Sequence, residues 1–323
     1  MRYVILGAGA IGGAIGGRLF EHGHDVVLVA RGAHQAALAE RGLELRDPDR
    51  SATLRIASVQ SVAEAGLKDG DVAVLACKTQ QSEALLVQLS ACAPPDTPVI
   101  CAQNGVENER LALRRFSNVQ AMCVYLPATH LEPGVVEVQF SPLTGLLDLG
   151  RYPEGVDEVT EHVAADLNES SFDSVAHANV MPRKYLKLLS NLGNAVEAVC
   201  GTRSEDPAAM ELWRLAQEEA SLCFKAAGIE VADPSLDAER RAAIGALRRV
   251  DGHDRSGGSS WQSLARRTGN IEVDWLNGEI VLLGRLHEVT TPVNELLRET
   301  ANRMAAQGIA PGSIPAEKLL AQL

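Results

Sequence analysis

The decapeptide YVILGAGAIG, residues 3–12, limits the fold more than any other stretch of this chain. Its apolar start suits a strand buried on both faces, and the glycines after it match G-x-G-x-x-G where a strand would turn into a helix. There Gly7 permits a tight turn, Gly9 lets backbone approach a pyrophosphate, and Gly12 lets helix pack on strand. Gly7, Ala8, Gly9, Ala10, Ile11 and Gly12 are therefore expected to cradle phosphates at a helix N-terminus. Gly13, Gly16 and Gly17 would weaken an isolated helix, so their presence predicts close packing against the sheet.

Apolar runs at residues 26–29, 72–76 and 99–102 repeat the character of the first strand. The stretches between them are long enough for crossover helices, which predicts βαβ units and a parallel sheet. Residues 119–125, 135–140 and 143–149 have the look of edge strands open to antiparallel pairing, with Pro133, Gly134 and Pro142 marking turns. From Met181 onward strand signals vanish, and helical periodicity covers 182–199, 207–227, 236–250, 259–267, 273–287 and 293–307. A chain of 323 residues is too long for one ordinary core. The expected architecture is α/β: a Rossmann-type doubly wound sheet over residues 1–178, then an all-helical domain over 179–323. RSGGSS, residues 255–260, is expected as a loop, with Ser259 or Ser260 capping the next helix.

A net charge of -12 argues against nucleic acid as a partner, so an anionic ligand must be held by a local cluster of positive groups. The six cysteines, Cys77, Cys92, Cys101, Cys123, Cys200 and Cys223, include no CxxC pair and no metal-ligand spacing, and are read as small apolar core residues of a reduced compartment. No metal, no membrane-spanning segment and no signal peptide are expected, and a cytoplasmic location follows as the simplest expectation.

The end of the second strand selects the cofactor. An NAD site usually places Asp or Glu there for the ribose hydroxyls, whereas an NADP site accommodates the 2′-phosphate with arginine. Here the segment runs VVLVARG, with no acid between Asp25 and Glu40, and Arg31 stands in the expected place, so NADP(H) is preferred. Lys78 and Asn104 likewise follow the carboxyl ends of candidate strands, where ligands of open α/β sheets collect.

In KLLSNLGN, residues 187–194, a helix would set Lys187, Asn191 and Asn194 at i, i+4 and i+7 on one face. A solvated face is the bland explanation, although asparagine is a poor helix former. GAGAIG, ARG at 30–32, KTQQ from 78, QNG at 103–105, KLLSNLGN, SSW at 259–261 and IEVDWLNGEI at 271–280 together resemble the ketopantoate reductase family, the 2-dehydropantoate 2-reductases, in order over nearly the whole chain.

The resemblance implies NADPH-dependent reduction of a 2-keto acid, first of all ketopantoate, in a cleft between the Rossmann domain and the helical domain. By position it makes Lys187 the proton donor, Asn191 and Ser260 substrate ligands, and Glu272 the acid that meets cofactor and lysine. Asn104 would touch nicotinamide and substrate, and Lys78 the cofactor. The family's second helix asparagine falls on Ala195, so Asn194, one step earlier, is its displaced counterpart, and a further substrate asparagine has no clear match near Ser204 and Glu205.

A β-hydroxyacid dehydrogenase and a non-catalytic NADP(H)-binding sensor are the competing readings, and a homodimer is kept open. Arg183 and Lys184 are read as solvated, Trp261 and Trp275 as core, and His22, His24, His130 and His253 as loop residues.

Overall fold

The computed structural model describes residues 1–201, 206–253 and 257–323. Ser204 and Glu205, and residues 255–256 of the serine-glycine loop, lie outside the described residues. The chain forms two compact units, one of Met1–Lys184 with Asp233–Arg255, the other of Tyr185–Ala232 with Ser256–Leu323.

The first unit runs β1 (Arg2–Leu6), α1 (Ala10–Glu21), β2 (Asp25–Val29), α2 (Gly32–Arg41), β3 (Leu43–Arg46), β4 (Ser51–Leu54), β5 (Ala57–Val59), β6 (Asp71–Leu75), α3 (Thr79–Cys92), β7 (Val99–Cys101), α4 (Asn108–Leu113), β8 (Val119–Tyr125), β9 (Ala128–Thr129), β10 (Val135–Val138), β11 (Phe140–Pro142), β12 (Leu146–Arg151) and α5 (Glu158–Glu169). There follow α6 (Met181–Asn191), α7 (Gly193–Cys200), α8 (Pro207–Ala227), α9 (Pro234–Ile244), β13 (Gly245–Leu247), α10 (Ser259–Ala265), α11 (Asn277–Leu286), α12 (Pro292–Gln307) and α13 (Ala316–Leu320).

Seven strands make the main sheet in the order β12-β8-β7-β6-β1-β2-β5. All neighbours pair in parallel except β12, which runs antiparallel to β8 at the edge. Residues 119–125 are therefore an interior strand, not an edge, as their burial between β7 and β12 explains. The strand order reverses between β1 and β6, the switch point beside which ligands of such sheets bind. Ile15 and Leu19 of α1 and Val163 and Leu167 of α5 fill one core, and Leu85, Leu86 and Leu89 of α3 with Ala112 of α4 fill another.

The glycine-rich face of α1 is packed as closely as its sequence predicts. A Cβ at Gly16 would meet Leu28 at 2.8 Å, and one at Gly13 would meet Val136 at 2.8 Å. A second sheet, β4-β3-β10-β9, flanks this helix; its four-residue strands β3 and β4 lay outside the sequence-based expectations, although Leu43–Arg46 alternates apolar and polar residues.

By contacts the first unit runs to Lys184 and takes in Asp233–Arg255, so the second unit is not one continuous segment. Residues 233–255 return to the first unit because of polar pairings that periodicity cannot show. Arg240 donates through Nε and Nη2 to Asp173, both at 2.7 Å, and through Nη1 to Asp148 at 2.7 Å. The helix expected over 236–250 stops at Ile244; Gly245, whose approach to the Ser141 carbonyl leaves no room for a Cβ, opens β13, which pairs antiparallel with β11.

The helix expected over 182–199 is likewise interrupted at Leu192, between α6 and α7. In the second unit Asn277 Nδ2 donates to the Leu192 carbonyl at 3.4 Å. Its Nδ2 also meets Asn294 Oδ1, and Asn294 donates to Glu219, whose carboxylate accepts the N–H groups of Val293 and Asn294 and so caps α12. Asn277, inside the IEVDWLNGEI motif, is thereby placed as a fold residue. Cys77, Cys101 and Cys223 are buried as expected, but Cys92 is exposed and Cys123 and Cys200 are half-buried. Trp261 and Trp275 are half-buried too, not core.

Candidate active site

In the first unit, the turn after β1 is built from its glycines upward. Gly7 has φ +105 and sits so close to the next loop that a Cβ would lie 2.9 Å from Cys77 N. A Cβ on Gly12 would meet the Gly7 carbonyl at 2.2 Å, so only hydrogen fits there. Gly9, the N-cap of α1, has nothing within 4 Å of an added Cβ, and α1 carries neither a side-chain cap nor an acid in its first turn. An open backbone surface backed by helix N–H groups suits the pyrophosphate of a nicotinamide dinucleotide.

Arg31 is exposed at the end of β2 as N-cap of α2, Lys78 is half-buried as N-cap of α3, and Asn104 is half-buried in the loop after β7. All three thus follow the carboxyl ends of parallel strands of the main sheet, as their spacing predicts. His34, absent from the sequence-based expectations, lies beside the glycine turn. Its Nδ1 accepts the Gly134 N–H at 2.9 Å, so Nε2 carries the proton and donates to the Ala8 carbonyl at 2.7 Å.

The loops holding Lys78 and Asn104 share one buried polar network. Gln103 Nε2 donates to the Cys77 carbonyl at 2.8 Å and to Ser82 Oγ at 2.9 Å. Ser82 donates to Asn108 Oδ1 at 2.7 Å, and Asn108 Nδ2 to Thr79 Oγ1 at 3.0 Å. Lys184, expected in solvent, is 3% exposed; its ammonium pairs with fully buried Glu109 and donates to the Gln103 carbonyl at 3.1 Å. Arg183 is not simply solvated either, lying 3.4 Å from Asp148. The charge-paired partners are remote in sequence, which is why helical spacing alone misplaces both residues. Burial, with Glu109 adding to it, pushes the Cys101 thiol well up, so it stays a neutral core group.

In the second unit, α7 packs on α10 and brings two of the sequence candidates, Asn194 and Ser260, to one neighbourhood. Gly258, not Ser259 or Ser260, is the N-cap of α10, and its N–H donates to Glu197 Oε2 at 2.9 Å. A Cβ on Gly258 would strike that carboxylate at 2.6 Å and approach Asn194 Oδ1 to 3.3 Å. Glu197 is a further residue that sequence reasoning missed; its place three after Asn194 on the same helix face was the available signal.

Asn191 and Ser260 are 4% and 1% exposed, yet among the described residues Asn191 Nδ2 and Ser260 Oγ have no hydrogen-bond partner. Lys187 is half-buried on α6, and Glu272, 3% exposed, opens a short 3-10 turn that ends at Trp275. No group of three or more His, Cys, Asp or Glu among the described residues could hold a metal ion. No helix among them is long and apolar enough to cross a membrane.

The chain is similar to known proteins over most of its length. The family model described as ketopantoate reductase PanE/ApbA matches residues 3–154, and its C-terminal counterpart matches residues 179–305. The chain is 26% identical over 309 residues to 2-dehydropantoate 2-reductase of Pyrococcus horikoshii, spanning 92% of this chain and 95% of that protein. A PanE/ApbA family ketopantoate reductase from Ralstonia eutropha JMP134 superposes with a TM-score of 0.79 at 25% identity, over 95% of this chain and 99% of its own. D-mandelate dehydrogenase, solved with NADH and anilino(oxo)acetate, shares the fold with a TM-score of 0.81 at 21% identity, over 95% and 99% of the two chains.

Proposed function

This chain belongs to the ketopantoate reductase family, and on that premise we propose that it reduces a 2-keto acid, ketopantoate, to the 2-hydroxy acid pantoate with NADPH. The cofactor supplies the hydride. Gly7, Ala8, Gly9, Ala10, Ile11 and Gly12 bind its pyrophosphate, Arg31 its 2′-phosphate and Asn104 its nicotinamide end, and Lys78 is a further cofactor contact. The preference for NADPH is supported by Arg31 at the end of β2, with no acid from there to Glu40.

Charge that grows on the substrate's carbonyl oxygen needs a donor held beside it, and the Lys187 ammonium both stabilises that oxygen and gives it a proton. Glu272 orients the lysine. Asn191, Asn194 and Ser260 bind the carboxylate and hydroxyl groups of the substrate without adding charge.

The observation that carries this reading is the pair of buried, unpartnered groups, Asn191 Nδ2 and Ser260 Oγ. Open buried atoms of the second unit also include Ser259 Oγ, Asn277 Oδ1 and Arg298 Nε, but Asn191 and Ser260 are residues that the family resemblance makes substrate ligands, and we read their open atoms as ligand contacts. Six cysteines without a disulfide support a reducing, cytoplasmic compartment. Leu282 and Leu286, 47% and 65% exposed one turn apart on α11, support a homodimer as the assembly.

The test follows NADPH absorbance against a panel of aliphatic and aromatic 2-keto acids. Ketopantoate is expected to give the highest kcat/KM, and Arg31→Ala is expected to raise the KM for NADPH by ~10-fold or more while leaving that for NADH nearly unchanged. A panel with no turnover despite tight NADPH binding would identify a sensor instead.

A further inference from the structure

We propose that Lys184 is a positioning residue: its buried ammonium, clamped by Glu109 and donating to the Gln103 carbonyl, sets the main chain of the QNG loop and hence the aim of Asn104. The inference rests on the reading that Asn104 meets nicotinamide and substrate.

Three observations in the first unit carry it. Lys184 and Glu109 are 3% and 0% exposed, so the pair lies out of water, where an ion pair gains little net stability over an apolar pair of the same volume. Retaining it demands some other use, and fixing register is the best attested one. The ammonium also reaches a main-chain carbonyl, that of the residue just before Asn104, at 3.1 Å. Gln103 itself is held from its other side through Nε2, on the Cys77 carbonyl and Ser82 Oγ, so the loop before Asn104 is gripped at both backbone and side chain. Beyond Asn104, Gly105 has φ +80 and Asn108 is tied to Thr79, which closes the loop onto the start of α3 beside Lys78. An aimed amide on a loop needs such support, because a misplacement of about 1 Å at a reacting group can cost ~10²-fold in rate.

The test must avoid stranding a buried charge, so both partners are replaced together as Lys184→Met with Glu109→Leu, and the thermal midpoint verifies folding. Hydrogen exchange of the cofactor-free protein is read first. Amides of residues 103–106 are expected to exchange ~10-fold faster or more in the paired variant, with β1 and β6 unchanged.

Kinetics are read second, as a cycle with Asn104→Ala. In the wild-type background Asn104→Ala is expected to lower kcat ~10-fold, and the paired variant to do about the same. Combining them should cost no more than ~2-fold further, since the two act through one group. Unchanged exchange, or effects that multiply, overturns the proposal and leaves the role of Asn104 standing. An Asn104→Ala enzyme with unaltered kcat overturns that role and the proposal with it. Should the paired variant not fold, Lys184→Arg goes through the same exchange and kinetic cycle: faster exchange and non-multiplying effects uphold the proposal, and unchanged exchange or multiplying effects overturn it.

Discussion

Two buried polar regions, one in each unit, are tied down to different degrees. In the first, Thr79, Ser82, Gln103, Asn108, Glu109 and Lys184 each hold at least one of the others behind the loops that carry Lys78 and Asn104, and only single atoms of Gln103 and Glu109, Oε1 and Oε2, stay without a partner among the described residues. In the second, Asn191 and Ser260 are as deeply buried, yet each keeps an atom that no described residue meets. Hydrogen-bonded networks rigidify a scaffold, whereas an open buried group costs free energy until something binds it. On the proposed reading the first region holds the site and the second receives the substrate.

That contrast predicts opposite stability costs. Lys184→Ala leaves the Glu109 carboxylate buried and unpaired, and is expected to cost about 3–5 kcal/mol in denaturant unfolding. Asn191→Ala loses no protein partner at Nδ2 and is expected to stay within about 1 kcal/mol of wild type, while the KM for the keto acid rises. Equal losses at the two positions would make Asn191 a fold residue and dissolve the contrast.

A smaller effect sharpens it within the glycine turn. Gly12→Ala pushes a methyl against the Gly7 carbonyl, 2.2 Å from an ideal Cβ, and is expected to lower stability by about 1–3 kcal/mol. Gly9→Ala places the same methyl in open space, so the thermal midpoint is expected to hold while NADPH affinity falls by ~10-fold, about 1.4 kcal/mol. Loss of stability at Gly9 would mean that its openness serves the fold and not a ligand.

Much of this was legible in the sequence, for identifiable reasons. The strand and glycine turn of residues 3–12 announce themselves because burial on both faces and close approach each demand a residue type. Lys187 and Asn191 share α6, one turn apart, as helical spacing leads one to expect. Arg183, Lys184 and the segment 233–255 were not: their positions depend on Asp148, Glu109 and Asp173, carboxylates far away in the chain, and periodicity carries no trace of such pairings. The interruption at Leu192 was hidden for the same reason, since it is answered by Asn277, far downstream.

In the proposed reaction Lys187 delivers the proton to the reduced carbonyl. Steady-state kinetics of Lys187→Ala with ketopantoate and saturating NADPH tests it most directly. An unchanged Kd for NADPH and a kcat lowered by ~10²-fold or more are expected. A kcat equal to that of the wild-type enzyme would contradict it.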